Sequence, residues 1–189
     1  LKNIAKKGLD SDNGGILTVD LILNAYNLQK GTVKYDMQSV DFKAIVLESA
    51  TDKKGPIEDK KLVLETEIKD DKYIVLGDSF WLKEIVNNLL QNSILYTKEG
   101  KIIVGLSKNN NKVLFFVKDT GIGITDEDKE NLFTEGGRGK NSIKTNVDST
   151  GYGLFSTKLI VDAHKGRIWA ESEGGGKGST FFVEFDAIT

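Results

Sequence analysis

The spacing of apolar residues divides the chain into two regimes. Over residues 1–30, Leu1, Ile4, Ala5 and Leu9 form one short helical stripe, and Leu17, Leu21, Ala25 and Leu28 form another. DSDNGG (10–15) between them has turn chemistry, so this region reads as a helical hairpin or as one poorly held long helix. Ile16, Val19, Ile22, Leu23 and Tyr26 make the second segment apolar on several sides. Such a helix needs more than one neighbour: a bundle, a dimer contact, or burial on its own globular domain.

From residue 32 the period shortens. TVKYDMQ (32–38) predicts a strand, and Asp41 is placed to cap a helix running to about Lys54. KLVLETEI (61–68) and YIVLG (73–77) predict two more strands, after which Asp78 or Ser79 caps a helix through about Tyr96. KIIVGLS (101–107) and KVLFFVKD (112–119) pair across an Asn-rich turn. Residues 126–150 are polar and aperiodic, and read as a long loop with one helical turn or two, a length that is uncommon unless it serves function. YGLFSTKLIVDAHKG (152–166) ends as helices do, and RIWAES (167–172) and STFFVEF (179–185) complete the sheet. The predicted architecture is α+β: a two-layer sandwich of a mixed, mainly antiparallel sheet with helices on one face.

Composition narrows the function classes. A formal charge of −2 gives no reason to expect a nucleic acid or an anionic membrane as the main partner. The absence of cysteine excludes disulfides and thiolate metal sites, and fits a reducing, cytoplasmic compartment. No uncharged apolar run reaches the ~18 residues of a membrane span. The chain opens on Leu1, which is expected of a fragment whose parent is longer and is compatible with a membrane anchor elsewhere.

Candidate chemistry gathers in four places. On the helix LKEIVNNLLQNSILYT (82–97), Leu82, Ile85, Val86, Leu89 and Leu90 make the core stripe, and Glu84, Asn88, Asn92 and Tyr96 line a polar edge beside it. Asparagine is a poor mid-helix residue, and a neutral amide oxygen can ligate Mg²⁺ that takes its other ligands from phosphates; solvated surface amides would give the same pattern. In KDTGIGIT (118–125), Asp119 at a strand end can select an exocyclic amine, and Gly121 and Gly123 would let a flat base approach the main chain, although an ordinary tight turn also accounts for them. In DSTGYGLFSTK (148–158), Gly151 and Gly153 sit where a loop becomes a helix, a place where bare amides bind phosphate. GGGKGST (174–180) precedes the last strand and is otherwise a plain hairpin turn. Neither G-x-x-x-x-G-K-[ST] nor a G-x-G-x-x-G between strand and helix is present, and the H-R-D and D-F-G motifs are also missing.

In order, these elements resemble the catalytic ATP-binding domain of bacterial sensor histidine kinases, in the superfamily shared with DNA gyrase and MutL. Asn88-Leu-Leu-Gln-Asn92-Ser resembles the N box, Asp119-Thr-Gly-Ile-Gly-Ile the G1 box and Leu132-Phe133 the F box. Ser149-Thr-Gly-Tyr-Gly-Leu resembles the G2 box, and Gly176-Lys-Gly-Ser-Thr the last glycine motif. LILNAYNLQKGTVKYDMQSVDF (21–42) is similar to the end of the second dimerisation helix and its junction, which places the boundary between a dimerisation remnant, 1–31, and the ATP domain, 32–189.

The resemblance implies a Bergerat-type fold, ATP and Mg²⁺ as cofactors, and transfer of the γ-phosphate to a histidine for relay to a response regulator. It implies that Asp119 reads the adenine amine at Gly121 and Gly123, that Asn92 holds Mg²⁺, and that Asn88 supports the phosphates. Gly151 and Gly153 would border the triphosphate, and Tyr96, Ile124, Phe133, Tyr152, Leu154 and Thr180 would be further nucleotide contacts. Residues 125–150 would form a lid. Asn88 stands where gyrase-like relatives carry a water-activating Glu, which favours transfer to a protein group over hydrolysis. Leu95 replaces a frequent Lys, so Arg138 or Lys140 is expected to supply the phosphate-facing cation, Arg138 with Asn88 and Asn92 forming the catalytic set. Gly136 replaces the second F-box aromatic. The remaining readings are a hydrolytic ATPase and a non-catalytic ATP-binding module of the same superfamily. The single histidine, His164, is expected to serve the last carbonyls of its helix, so the phosphoacceptor is expected upstream of Leu1 in a parent that dimerises.

Overall fold

The computed structural model describes Leu23, residues 25–137 and residues 151–188. The stripe residues of 1–22, Arg138, Lys140 and the start of the second glycine box at 148–150 lie outside the described residues, as does most of the loop expected over 126–150. Residues 25–29 are helical, with Ala25 and Leu28 buried and Leu23 and Tyr26 exposed.

Side-chain caps start the two long helices of the first half. β1 (Gln38–Asp41) passes into α1 (Phe42–Asp52), where the Asp41 carboxylate accepts from the N–H groups of Lys43 and Ala44. The strand expected over 32–38 begins only at Gln38. Val33 and Tyr35 keep an alternating pattern because they pack on the core, but they have no strand partner. A short helix that periodicity did not reveal, α2 (Lys54–Asp59), follows; Pro56 lies in its first turn, where no N–H is needed. β2 (Val63–Ile68) and β3 (Ile74–Gly77) lead to α3 (Ser79–Tyr96), capped by Asp78, whose carboxylate accepts from Phe80 and Trp81.

β4 (Lys101–Asn109) and β5 (Lys112–Asp119) form the predicted hairpin, with Asn110 in the left-handed region at its tip. The single turn α4 (Asp126–Lys129), α5 (Tyr152–Ala163), β6 (Arg167–Glu171) and β7 (Ser179–Asp186) complete the order. β1 and β3 pair antiparallel, and the five-stranded sheet runs β2-β4-β5-β7-β6. Only β2 against β4 is parallel, so the sheet is mixed and mainly antiparallel as expected.

One face of the sheet carries the core. Ile102, Val104 and Leu106 of β4, Val113, Phe115 and Val117 of β5, and Phe181, Val183 and Phe185 of β7 meet the helices. From α3, Leu82, Ile85, Val86, Leu89 and Leu90 are all fully buried, so the whole predicted stripe is in the core. At about 1.5–3 kcal/mol for each fully buried aliphatic side chain, this stripe is a main anchor of α3. On the other face, Gly105, Phe116, Phe182 and Trp169 are cross-strand neighbours over four strands. Trp169 stacks on Phe182 at 5.0 Å and 13°, and the Arg167 guanidinium lies 4.9 Å from the Trp169 ring.

Candidate functional site

The two flanks of α3 serve different neighbours. Lys83 pairs with Glu48 at 2.8 Å and Asp52 at 3.3 Å, and Gln91 accepts from Lys53, so this flank faces α1. The opposite flank carries Glu84, Asn88, Asn92 and Tyr96, all half-buried. The side-chain amides of Asn88 and Asn92 make no hydrogen bond among the described residues.

α5 also packs on α3, and its direction is fixed at one end. His164, the C-cap of α5, accepts through Nε2 from the main-chain N–H of Asp78, the N-cap of α3, at 3.0 Å. α5 therefore runs back antiparallel to α3. Its twelve residues span about 18 Å at 1.5 Å per residue, so its N-terminus lies about that far from the His164–Asp78 contact. Gly151 caps that end in the left-handed conformation, φ 74°, and, as glycine, makes no side-chain cap bond. A Cβ on Gly153 would meet nothing within 4 Å.

Asp119 stands at the end of β5 beside the last turn of α3 and is only 5% exposed. Its Oδ1 accepts from Gly121 N–H at 2.9 Å; its Oδ2 accepts from the hydroxyls of Ser179 at 2.6 Å and Ser93 at 3.5 Å. Burial pushes this carboxyl up from its ordinary value, against the pull of hydrogen bonds from Ser179, Gly121 and Ser93, which favour the charged form.

The glycines beyond Asp119 are accounted for by the chain itself. A Cβ on Gly121 would lie 2.5 Å from the Tyr96 carbonyl oxygen, which accepts from Ile122 N–H at 3.1 Å. Gly123 has φ +69°, and a Cβ there would lie 2.1 Å from the Gly174 carbonyl oxygen. The first glycine loop is thus pressed between the end of α3 and the last glycine motif. Ser172 clasps the two loops: its hydroxyl accepts from Ile124 N–H at 3.0 Å and donates to the Gly178 carbonyl at 2.6 Å.

The remaining expected positions fall around this centre. Ile124 is buried in the core, and Phe133 and Leu154 pack against it. Tyr152 donates to Glu135 at 3.4 Å, linking the start of α5 to the chain leaving α4. Thr180 is not brought to Asp119: it alternates onto the open face of the sheet, opposite Lys118, and Ser179 is the residue that meets the carboxylate. Ser93, Ser172 and Ser179 are the groups that sequence reasoning passed over. Ser93 was legible as a hydroxyl on the core side of a helix one residue beyond Asn92; the other two flank the final glycines without further signal. Arg138 and Lys140 lie outside the described residues. Among the described residues, no group of three His, Asp or Glu side chains is arranged to hold a metal, and no helix is long and apolar enough to cross a membrane.

The fold is a two-layer α+β sandwich whose longest helix carries the amide flank and reaches the buried Asp119 carboxylate through Ser93. Residues 77–188 match the model of the histidine kinase-, DNA gyrase B-, and HSP90-like ATPase family, and the chain belongs to that family. The chain is 33% identical over 169 residues to the adaptive-response sensory kinase SasA of Thermosynechococcus vestitus, covering 88% of this chain and 43% of the relative. It is 32% identical over 177 residues to drug sensory protein A of Synechocystis sp., covering 88% of this chain and 26% of that protein. The chain therefore spans less than half the length of these curated relatives. Among solved structures, the catalytic domain of histidine kinase ThkA superposes with a TM-score of 0.70 at 25% identity, over 80% of this chain and 97% of that one. Full-length ShkA in complex with AMPPNP shares the fold, with a TM-score of 0.83 at 20% identity over 97% of this chain and 38% of ShkA. The resemblance read from the five boxes and the α+β sandwich are both borne out.

Proposed function

We propose that this chain is the ATP-binding catalytic domain of a sensor histidine kinase, 32–189, joined to the end of a dimerisation region, 1–31. In this reading it passes the γ-phosphate of ATP to a histidine outside this chain, for relay to a response regulator, in a cytoplasmic domain of a homodimeric parent. The observation that carries the reading is Asp119: a buried carboxylate at a strand end, oriented by three donors, one of them Ser93, the residue after Asn92 on α3. The relatives and the AMPPNP complex of ShkA support it.

Asp119 would accept from the 6-amino group of adenine, with the loop Gly121–Gly123 and Ile124 forming that side of the pocket and Tyr96, Phe133, Tyr152 and Leu154 its rim. Asn92 would hold Mg²⁺ and Asn88 would face the phosphates. The donor set fits this ion: among the described residues the two side-chain amides make no hydrogen bond, and a neutral amide oxygen suits an ion whose other ligands are phosphates and waters. The ion would supply charge neutralisation on the phosphate oxygens. Around it the chain's own part is to orient: the main-chain amides at the start of α5, at Gly151 and Gly153, would meet anionic oxygens, and Arg138 or Lys140 would add the cation that Leu95 does not provide. Asn88 cannot take a proton from water, which disfavours a hydrolytic role.

Calorimetry with Mg-ADP tests the reading. Binding that weakens at least tenfold in Asn92→Ala with Mg²⁺ present, and much less without it, supports the site; an absence of binding overturns it. Transfer of γ-phosphate to a histidine-bearing dimerisation domain supplied separately tests the kinase step.

A further inference from the structure

The two serine hydroxyls on Asp119 Oδ2 are not equivalent. Ser179 is fixed opposite Asp119 by the β5–β7 ladder, and its bond is short at 2.6 Å. Ser93 reaches the same oxygen from α3 over 3.5 Å, the limit of a hydrogen bond. A hydroxyl within a helix ordinarily donates to the carbonyl four residues back, as Thr51 does to Leu47 and Thr157 to Gly153. Ser93 donates to Asp119 instead. Ser93 is buried in the last turn of the 18-residue α3, where serine forms helix less well than alanine, so packing alone does not call for it. The stretched bond leaves a hydroxyl that can turn at little cost.

We propose that Ser93 is a specificity-determining residue of the base site: as an exocyclic amine donates to Asp119, the Ser93 hydroxyl turns from Oδ2 and donates to the ring nitrogen beside that amine. The assignment rests on the reading of Asp119 as the adenine acceptor. The edge of adenine presents a donor, the 6-amino group, next to an acceptor, N1. Asp119 offers an acceptor and Ser93 a rotatable donor, the complementary pair, from two different elements. Guanine presents a carbonyl and a ring N–H in the reverse order, which would set an oxygen against the carboxylate. No proton is transferred; one hydroxyl exchanges its acceptor.

The test is a cycle of calorimetric titrations with ADP and 1-deaza-ADP, in which N1 is replaced by C–H, on the wild-type chain and on Ser93→Ala. Loss of N1 is expected to weaken wild-type binding about three- to tenfold, the size of one net hydrogen bond. In Ser93→Ala, ADP binding falls by a similar factor, and 1-deaza-ADP then binds within about twofold of ADP. A general loss of packing would weaken both ligands alike and leave their ratio unchanged. An undiminished N1 penalty in Ser93→Ala, or no penalty in the wild type, overturns the assignment of Ser93 while leaving Asp119 in place. If ADP does not bind the wild type, the functional reading itself fails.

Discussion

His164 Nε2 accepts from the main-chain N–H of Asp78 at 3.0 Å, while its Nδ1 donates to the Ile160 carbonyl at 2.8 Å. One neutral imidazole thereby joins the end of α5 to the start of α3, and the ring is only 6% exposed. Tyr35 and Phe185 pack edge-on against it at 5.3 and 6.3 Å. The expected service to the last turn of its helix is present, and the reach to the other helix is additional. His164→Ala should leave the Asp78 N–H without its partner and open a gap beside Phe185. We expect a loss of about 2–4 kcal/mol, read from urea unfolding.

The same contact gives stability a pH dependence. Burial pushes the His164 ring below its ordinary value, opposed by the bond to Ile160 and by the Asp78 charge. The unfolded chain therefore binds this proton more readily than the folded one. The contribution is fully present above about pH 6.5 and is lost as the pH falls from there through the lower folded value. Between pH 7.5 and 5.5 the wild type should lose more stability than His164→Gln, which has no proton to gain; equal losses in paired urea melts would remove His164 as the cause.

Asp119→Asn should separate stability from binding. An amide still accepts from Gly121 through its oxygen and donates to the Ser179 hydroxyl oxygen, so the local bonds survive. Because burial raises the carboxyl, its contribution to stability is fullest at acid pH and is lost as the pH rises through the folded value. Removing the charge should leave stability at pH 7 unchanged or slightly higher. ADP affinity should fall at least tenfold, since the Oδ2 position proposed to accept from the amine then carries an NH2 donor. Thermal melts and calorimetry on one preparation check both halves.

Two glycine variants should behave oppositely. Gly123→Ala combines a left-handed backbone with a Cβ 2.1 Å from a carbonyl oxygen, and should cost about 2 kcal/mol or more. Gly153→Ala places its methyl in open space near the start of a helix, and should leave stability unchanged or raise it by up to about 1 kcal/mol. Its effect should be on the proposed phosphate site, as weaker nucleotide binding. Comparable destabilisation of the two in denaturant titrations would contradict the difference in their surroundings.

What was legible in the chain was whatever has a local cause. Asp41 and Asp78 announced their helices because a cap needs only the next three residues. The stripe of α3 fixed its buried side, and through it the flank on which Asn88 and Asn92 lie. Less was legible where distant segments decide. TVKYDMQ alternates, yet pairing starts at Gln38, because β3 offers partners only from there. STFFVEF has large apolar residues on both faces, Phe181 in the core and Phe182 in the open-face stack, so periodicity could not decide between Ser179 and Thr180. Gly121 and Gly123 suggested a close approach, and the carbonyls of Tyr96 at the end of α3 and of Gly174 in the last glycine motif do lie close to them, contacts between segments far apart in sequence.

The open-face stack has a practical use. The chain has two tryptophans, and they occupy separate environments: Trp169 lies against Phe182 and Arg167, and Trp81 meets Tyr35 edge-on at 5.9 Å beside His164's other neighbours. Their emission should therefore report independently, one on the integrity of the sheet and the other on the junction of Tyr35 with the start of α3. With Trp169→Phe as the working background, an intrinsic fluorophore follows that junction without a label.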